Sequence, residues 1–243
     1  MCVAAVAWDA HPDWLLVAAG NRDEFHARPA APLSRWTDGS GIVAGTDITG
    51  GGTWLGVTGT GRFALVTNYR VPGGTRPGRP SRGRLVTDLL EGARPEDLAE
   101  PMAQMNPFNL ILADGGRAAF LTNHPEVEAR TLSPGIHGLS NGGFDVPWPK
   151  TVQVGAAIAD WLGAGDPGLD PLLAALRDET APPGHGPEPR FAPVFIRDET
   201  YGTRCSTVVA MDRQGRGTIA ERSFDPQGRP IGDVRLDFAW PPV

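Results

Sequence analysis

Lysine is nearly missing from this 243-residue chain: Lys150 stands alone against 21 arginines in a total of 22 basic residues. Cysteine and tyrosine are almost as rare, with Cys2 and Cys205, Tyr69 and Tyr201 as the only examples. No apolar run approaches the 18 residues of a membrane-crossing helix, so integral membrane association is not expected. No block of basic residues occurs and the net charge is -6, which argues against a nucleic-acid partner. The first residues carry no basic n-region and no small-residue cleavage site behind an apolar core, so they do not read as a signal peptide. Both thiols are therefore expected reduced, in the cytoplasm, without a structural disulfide. The five histidines and two cysteines lack zinc-ligand spacing, and Lys150 lacks the glycines of a Walker A loop. Neither a metal nor a nucleotide cofactor is expected.

Enough is present for a substantial core: hydrophobic residues make up 40% of the chain and seven are Trp. The length allows one large domain or two small ones. With no repeat and no linker, a single domain over residues 1–243 is expected. Cys2–Trp8 and Trp14–Ala19 are apolar runs around the turn residues Asp9–Asp13, and they read as a hairpin. Paired positions there sum to roughly 23. That brings Asn21-Arg22-Asp23 back beside Cys2. Trp54–Thr58 and Phe63–Asn68 form a second hairpin, with Asn68 opposite Gly50-Gly51-Gly52, where glycine would let backbone approach a ligand. Phe108–Ala113 and Arg117–Thr122 form a third.

Helices are expected from Ser81 to Gly92, over Pro95–Met105, over Thr151–Leu162 and over Leu172–Asp178. His137–Lys150 reads as irregular and Ala181–Pro193 as a mobile Pro/Gly loop. Cys205–Met211 and Gly217–Arg222 are closing strands. Strands at both ends with helices grouped between them imply an α+β fold of antiparallel sheets covered by helices.

Cys2 is the residue with the clearest chemistry. Removal of Met1 would leave a thiol nucleophile and an amine base on one residue. Their ordinary pKa values, about 8.5 and 7.7–8.0, are matched for proton transfer near neutral pH. A thiolate needs nearby positive charge, which Arg22 or Arg204 can supply. The amine needs a carboxylate to orient it, and Asp23 is placed for that. An oxyanion needs preorganised donors, and the amides of Asn68 or Asn141 suit, with backbone N–H groups. Strand alternation puts Arg204 and Cys205 on opposite faces, leaving Cys205 to the core. A rival motif, Gly138-Leu139-Ser140-Asn141-Gly142, matches the G-x-S-x-G nucleophile elbow. It lacks the strand before and helix after, and its only histidine in the right order is His185.

These residues belong to a longer pattern: Met1-Cys2, Ala7-Trp8, Asn21-Arg22-Asp23-Glu24-Phe25, Arg28-Pro29 and Gly51-Gly52-Thr53-Trp54-Leu55-Gly56. It continues through Thr67-Asn68-Tyr69-Arg70, Ser81-Arg82-Gly83, Asn106-Pro107-Phe108-Asn109-Leu110 and Gly138-Leu139-Ser140-Asn141. It closes with Pro147-Trp148-Pro149-Lys150 and Tyr201-Gly202-Thr203-Arg204. In this the chain resembles the NRDE family of transport and Golgi organisation protein 2-like proteins, over nearly its whole length. The resemblance implies the N-terminal-nucleophile (Ntn) hydrolase fold, a four-layer αββα sandwich, close to the branch with penicillin V acylase and bile salt hydrolase. It assigns Cys2, Arg22, Asp23, Asn68, Asn141 and Arg204 to that branch's catalytic positions. The implied activity is hydrolysis of a linear C–N amide, on a small-molecule amide or a lipid-like ligand. The alternative is a non-catalytic carrier of haem or an acyl lipid on the same fold, with Cys2 or a histidine as haem ligand. The family's links to secretory-pathway organisation, lipid metabolism and haem trafficking fit either. A third reading is a protein-interaction role with the chemistry lost.

Overall fold

The computed structural model describes residues 2–165, 168–181 and 189–241. Its strands are β1 (Val3–Trp8), β2 (Trp14–Phe25), β3 (Ala30–Arg35), β4 (Ile42–Asp47), β5 (Leu55–Thr58), β6 (Arg62–Asn68), β7 (Phe108–Asp114), β8 (Arg117–Thr122), β9 (Glu128–Thr131), β10 (Gly135–Leu139), β11 (Tyr201–Asp212), β12 (Arg216–Phe224) and β13 (Pro230–Ala239). The helices are α1 (Arg82–Leu90), α2 (Ala99–Gln104), α3 (Pro149–Gly163) and α4 (Asp170–Ala175). Six strands form one sheet in the order β10-β1-β2-β11-β12-β13. Seven form the other in the order β3-β4-β5-β6-β7-β8-β9. Every strand pair is antiparallel.

The apolar run of β1 is continuous because both of its faces are covered. Ala4, Val6 and Trp8 pack between the two sheets with Leu16, Phe63 and Leu65. Val3, Ala5 and Ala7 pack the other way, against Val154, Ile158 and Trp161 of α3 and Leu172 of α4. On the second sheet, Leu85, Val86 and Leu89 of α1 join the core around β4, β5 and β6. The result is the expected α+β four-layer αββα sandwich of antiparallel sheets.

Three hairpins and the positions of four helices follow the sequence pattern. Pro95–Met105 divides into a 3-10 turn, Pro95–Leu98, and the short α2. The segment read as irregular, His137–Lys150, takes in the last three residues of β10 and the first two of α3; β10 is an edge strand with no ladder partner on its outer side among the described residues. Only Pro189–Phe191, a 3-10 turn, and a few flanking residues of the expected 181–193 loop are among the described residues; 182–188 lie outside them, His185 included. Among the described residues, no helix is long and apolar enough to cross a membrane.

Candidate active site

The site grows from the register of the first sheet. Val3 pairs with Asn21 and Ala4 with Leu139. Continued to the start of β1, the two ladders place Cys2 between Arg22 on one side and Asn141 on the other. Alternation carries Cys2 to the inter-sheet face of Ala4 and Val6, and it is 7% exposed. The Ser140 hydroxyl donates to the Cys2 carbonyl at 2.9 Å, and the Thr67 hydroxyl donates to the Ser140 carbonyl at 2.8 Å. Ser140 thus serves as a strut for Cys2. It directly follows β10, so the strand that the sequence reading denied to the G-x-S-x-G motif is present; bends and turns instead of a helix come after it, and that removes the elbow reading.

Asn141 Nδ2 donates to the Asn68 carbonyl at 2.7 Å, and the Arg70 N–H donates to the Asn141 carbonyl at 2.8 Å. These bonds tie the end of β6 to the end of β10 and bring Asn68 to the same end of the sandwich. The side-chain amide of Asn68 has no hydrogen-bond partner among the described residues, whereas that of Asn141 is engaged. Gly52, opposite Asn68, is needed for a different close approach than the expected one. A Cβ there would lie 2.3 Å from the Gly83 carbonyl, so the contact is with the start of α1 and not with a ligand.

Asp23 is 3% exposed. Its Oδ1 accepts the Thr203 hydroxyl at 2.8 Å, and its carbonyl accepts the Tyr201 hydroxyl at 2.7 Å. Burial pushes the carboxyl up to about 6, against the opposing pull of Lys150, Thr203 and Arg22. Burial likewise raises the Cys2 thiol, and the Asp23 charge adds to this. The Asp23 backbone N–H and the Arg22 charge favour the thiolate. Arg22 is 8% exposed, and its Nη2 donates to Asp47 Oδ2 at 3.2 Å. Arg28 Nε donates to the same oxygen at 2.8 Å. Burial opposes the Asp47 charge, but Arg28, the Gly50 N–H and Arg22 outweigh it and hold that carboxyl below its ordinary range.

Arg204 departs from the expectation of strand alternation. Thr203 pairs with Asp23 and Cys205 with Arg22, so Arg204 is the extra residue of a β-bulge. The bulge breaks the period of two, and Arg204 and Cys205 line one cavity together with Arg22. Arg204 Nη1 donates to the carbonyls of Phe25, His26 and Arg28 at 3.0, 3.2 and 3.0 Å, closing the bend after β2. It stands one strand beyond Arg22 as seen from Cys2. Cys205 is also a core residue, as expected. Its thiol is driven well up by burial and then by the Glu221 charge, so it is inert beside Cys2.

Two further cations act on Cys2. Lys150, the only lysine, is 3% exposed at the start of α3. Burial lowers its pKa, while the charges of Asp23 and Cys2 support it, and its Nζ donates to the Phe191 carbonyl at 3.3 Å. Arg82, the first residue of α1, also interacts electrostatically with Cys2 and donates to the Pro107 carbonyl at 3.1 Å. Sequence reasoning passed over both, although the isolation of the single lysine was a signal. Among the described residues, no group of three His, Cys, Asp or Glu side chains could hold a metal ion.

This architecture has known counterparts. A mutant of the conjugated bile acid hydrolase from Clostridium perfringens superposes with a TM-score of 0.53 at 9% identity, covering 98% of this chain and 92% of that one. The Caenorhabditis elegans N-acylethanolamine-hydrolyzing acid amidase ortholog gives 0.50 at 13% identity, over 85% and 92%. At this identity the likeness is one of fold. The sequence relatives are nearer. The Transport and Golgi organization protein 2 homolog of Bos taurus is 33% identical over 92% of this chain and 93% of its own length; that of Homo sapiens is 31% identical over the same shares. The sequence model of the family described as Transport and Golgi organisation 2 matches residues 1–226, and this chain belongs to that family.

Proposed function

We propose that this protein is a cysteine amidohydrolase of the N-terminal-nucleophile type, cleaving a linear C–N amide. One observation carries the reading: register places Cys2 between Arg22 and Asn141, with the buried carboxylate of Asp23 next in the chain. The fold neighbours, by their names an N-acylethanolamine-hydrolyzing amidase and a conjugated bile acid hydrolase, support it.

The chemistry begins with Met1 removed. The Cys2 thiol gives its proton to the Cys2 α-amine, and Sγ attacks the amide carbonyl carbon. Asp23 holds the amine in place. Arg22 stabilises sulfur's negative charge. The carbonyl electron pair moves onto oxygen, where the Asn68 amide donates to it. Collapse of the tetrahedral species breaks the C–N bond, and the α-ammonium returns its proton to the departing nitrogen. Water then attacks the thioester, with the amine taking its proton, and releases a carboxylic acid and the thiol. The substrate is a small-molecule amide or lipid-like ligand met in the cytoplasm, where the thiol stays reduced.

The test is covalent labelling by an electrophilic lactone, read by intact mass. Wild-type protein should gain one adduct on a chain that has lost Met1, and Cys2→Ala should gain none. Equal labelling of both proteins, or labelling of a chain that keeps Met1, overturns the mechanism.

A further inference from the structure

Beside the proposed nucleophile lies a cavity of about 210 Å³, walled by β2, β11, β12 and β13 of the first sheet and by β3 and β4 of the second. At about 30 Å³ per water, it has room for about seven waters, or a short organic group. Arg22 forms its wall toward Cys2. Arg204, Cys205, Glu221 and Asp47 supply the remaining charged and thiol groups. Pro32, Trp54, Phe224, Ile231 and Val234 make much of the rest apolar. Ile231 stands at the mouth with 66% of its surface exposed.

Two guanidinium donors of this wall have no acceptor. Arg22 Nη1 and Arg204 Nε are both buried without a hydrogen-bond partner. The nearby carboxylates are spent elsewhere. Asp47 accepts from Arg22 Nη2, Arg28 and the Gly50 N–H. Glu221 accepts from the Leu33 N–H at 2.8 Å and from the Thr207 hydroxyl at 3.3 Å. A buried donor left without an acceptor is costly, and more so when charged. Both residues line the cavity, and both atoms are closed to solvent in this conformation, so an oxygen anion entering the cavity would reach them on a small shift of the two side chains.

We propose that this cavity is a subsite for a carboxylate on a short apolar stem, held by Arg22 and Arg204. The inference rests on the amidase reading for its place in the reaction. Arg22 lies one strand spacing from Cys2 and Arg204 two, so an acid group held between them lies roughly 5–10 Å from the nucleophile. The substrate class is thereby narrowed to amides that carry a second, acidic end at that distance from the scissile carbon.

Hexanoate and its uncharged isostere hexanamide are the probes, titrated calorimetrically into the full-length protein. Hexanoate should bind saturably, one per chain, and hexanamide about tenfold or more weakly, the loss of one charge-assisted pair. Arg204→Gln should weaken hexanoate by a similar factor. Gly232 lines the cavity, and a Cβ there meets nothing within 4 Å, so Gly232→Leu should fill the space and abolish binding. If either variant unfolds, Ile231→Asp at the exposed mouth replaces it and should weaken hexanoate by repulsion. Absence of saturable binding, equal affinity for hexanamide, or binding indifferent to the folded variants overturns the subsite. Lactone labelling at Cys2 can fail while hexanoate binds, and the reverse, so the two proposals fall separately.

Discussion

The first sheet presents two rows of residues to the space between the sheets, six residues apart on the same six strands. One row runs Gly135, Trp8, Leu16, Met211, Gly217, Phe238. The other runs Asn141, Cys2, Arg22, Cys205, Ser223, Gly232, its first two members placed by continuing the ladders. The first row is closed with apolar side chains and glycine, and Leu16 and Met211 are fully buried. The second buries a guanidinium, two thiols and, one residue along, a carboxylate. Burying charge is costly unless it is paired, so the second row is a place where the fold gives up stability. The contrast assigns folding energy to one end of the sandwich and the proposed chemistry to the other.

The sharpest way to break this division is Cys2→Ala. It should remove all lactone labelling and leave the far-ultraviolet circular dichroism unchanged; a collapsed spectrum would mean that the polar row also holds the fold. Leu16→Ala tests the other row. Loss of a fully buried leucine should cost about 2–5 kcal/mol in urea denaturation, with labelling per folded molecule unaltered.

Asp23 offers an intermediate effect with a definite sign. Its folded pKa of about 6 lies above the ordinary 3.8, so the native state binds the proton more tightly than the unfolded chain. Its contribution is fully present below the unfolded value and is lost as pH rises through about 6. The loss is about 3 kcal/mol for a shift of roughly two units. Asp47, held below its ordinary range, works in the opposite direction and loses its contribution as pH falls. Denaturation between pH 4 and 6 should therefore show a component that Asp23→Asn removes, and an unchanged profile in that variant would deny the buried charge. The smallest effect belongs to neither row. Arg216, 78% exposed and paired with Asp212, should give an unchanged Tm and unchanged labelling when replaced by alanine.

Much of this comparison could be read from the sequence. Turn position and the antiparallel sum brought Arg22 to within one residue of its place: a sum of roughly 23 sets Cys2 opposite Asn21, and the observed 24 sets it opposite Arg22. Asn141 could be picked out by its amide, but its place beside Cys2 could not, since β10 has no hairpin partner beside it in the chain. The joint placement of Arg204 and Cys205 was illegible: one inserted residue in β11 reverses the side assigned by alternation, and nothing local marks it. β3, β9 and β13 were missed because alternation is weak in these mostly exposed edge strands. Lys150 and Arg82 come from the first residues of α3 and α1, and only the packing of those helices onto the sheets carries them to Cys2.

The contact between Gly52 and Gly83 has a consequence for how this protein tolerates change. Two stretches of bare main chain meet there, one of them the residue next to Arg82 at the foot of α1, so the aim of a guanidinium is fixed where no side chain exists. A saturation library should find Gly52 among the least replaceable positions of the chain, although it takes no part in the chemistry.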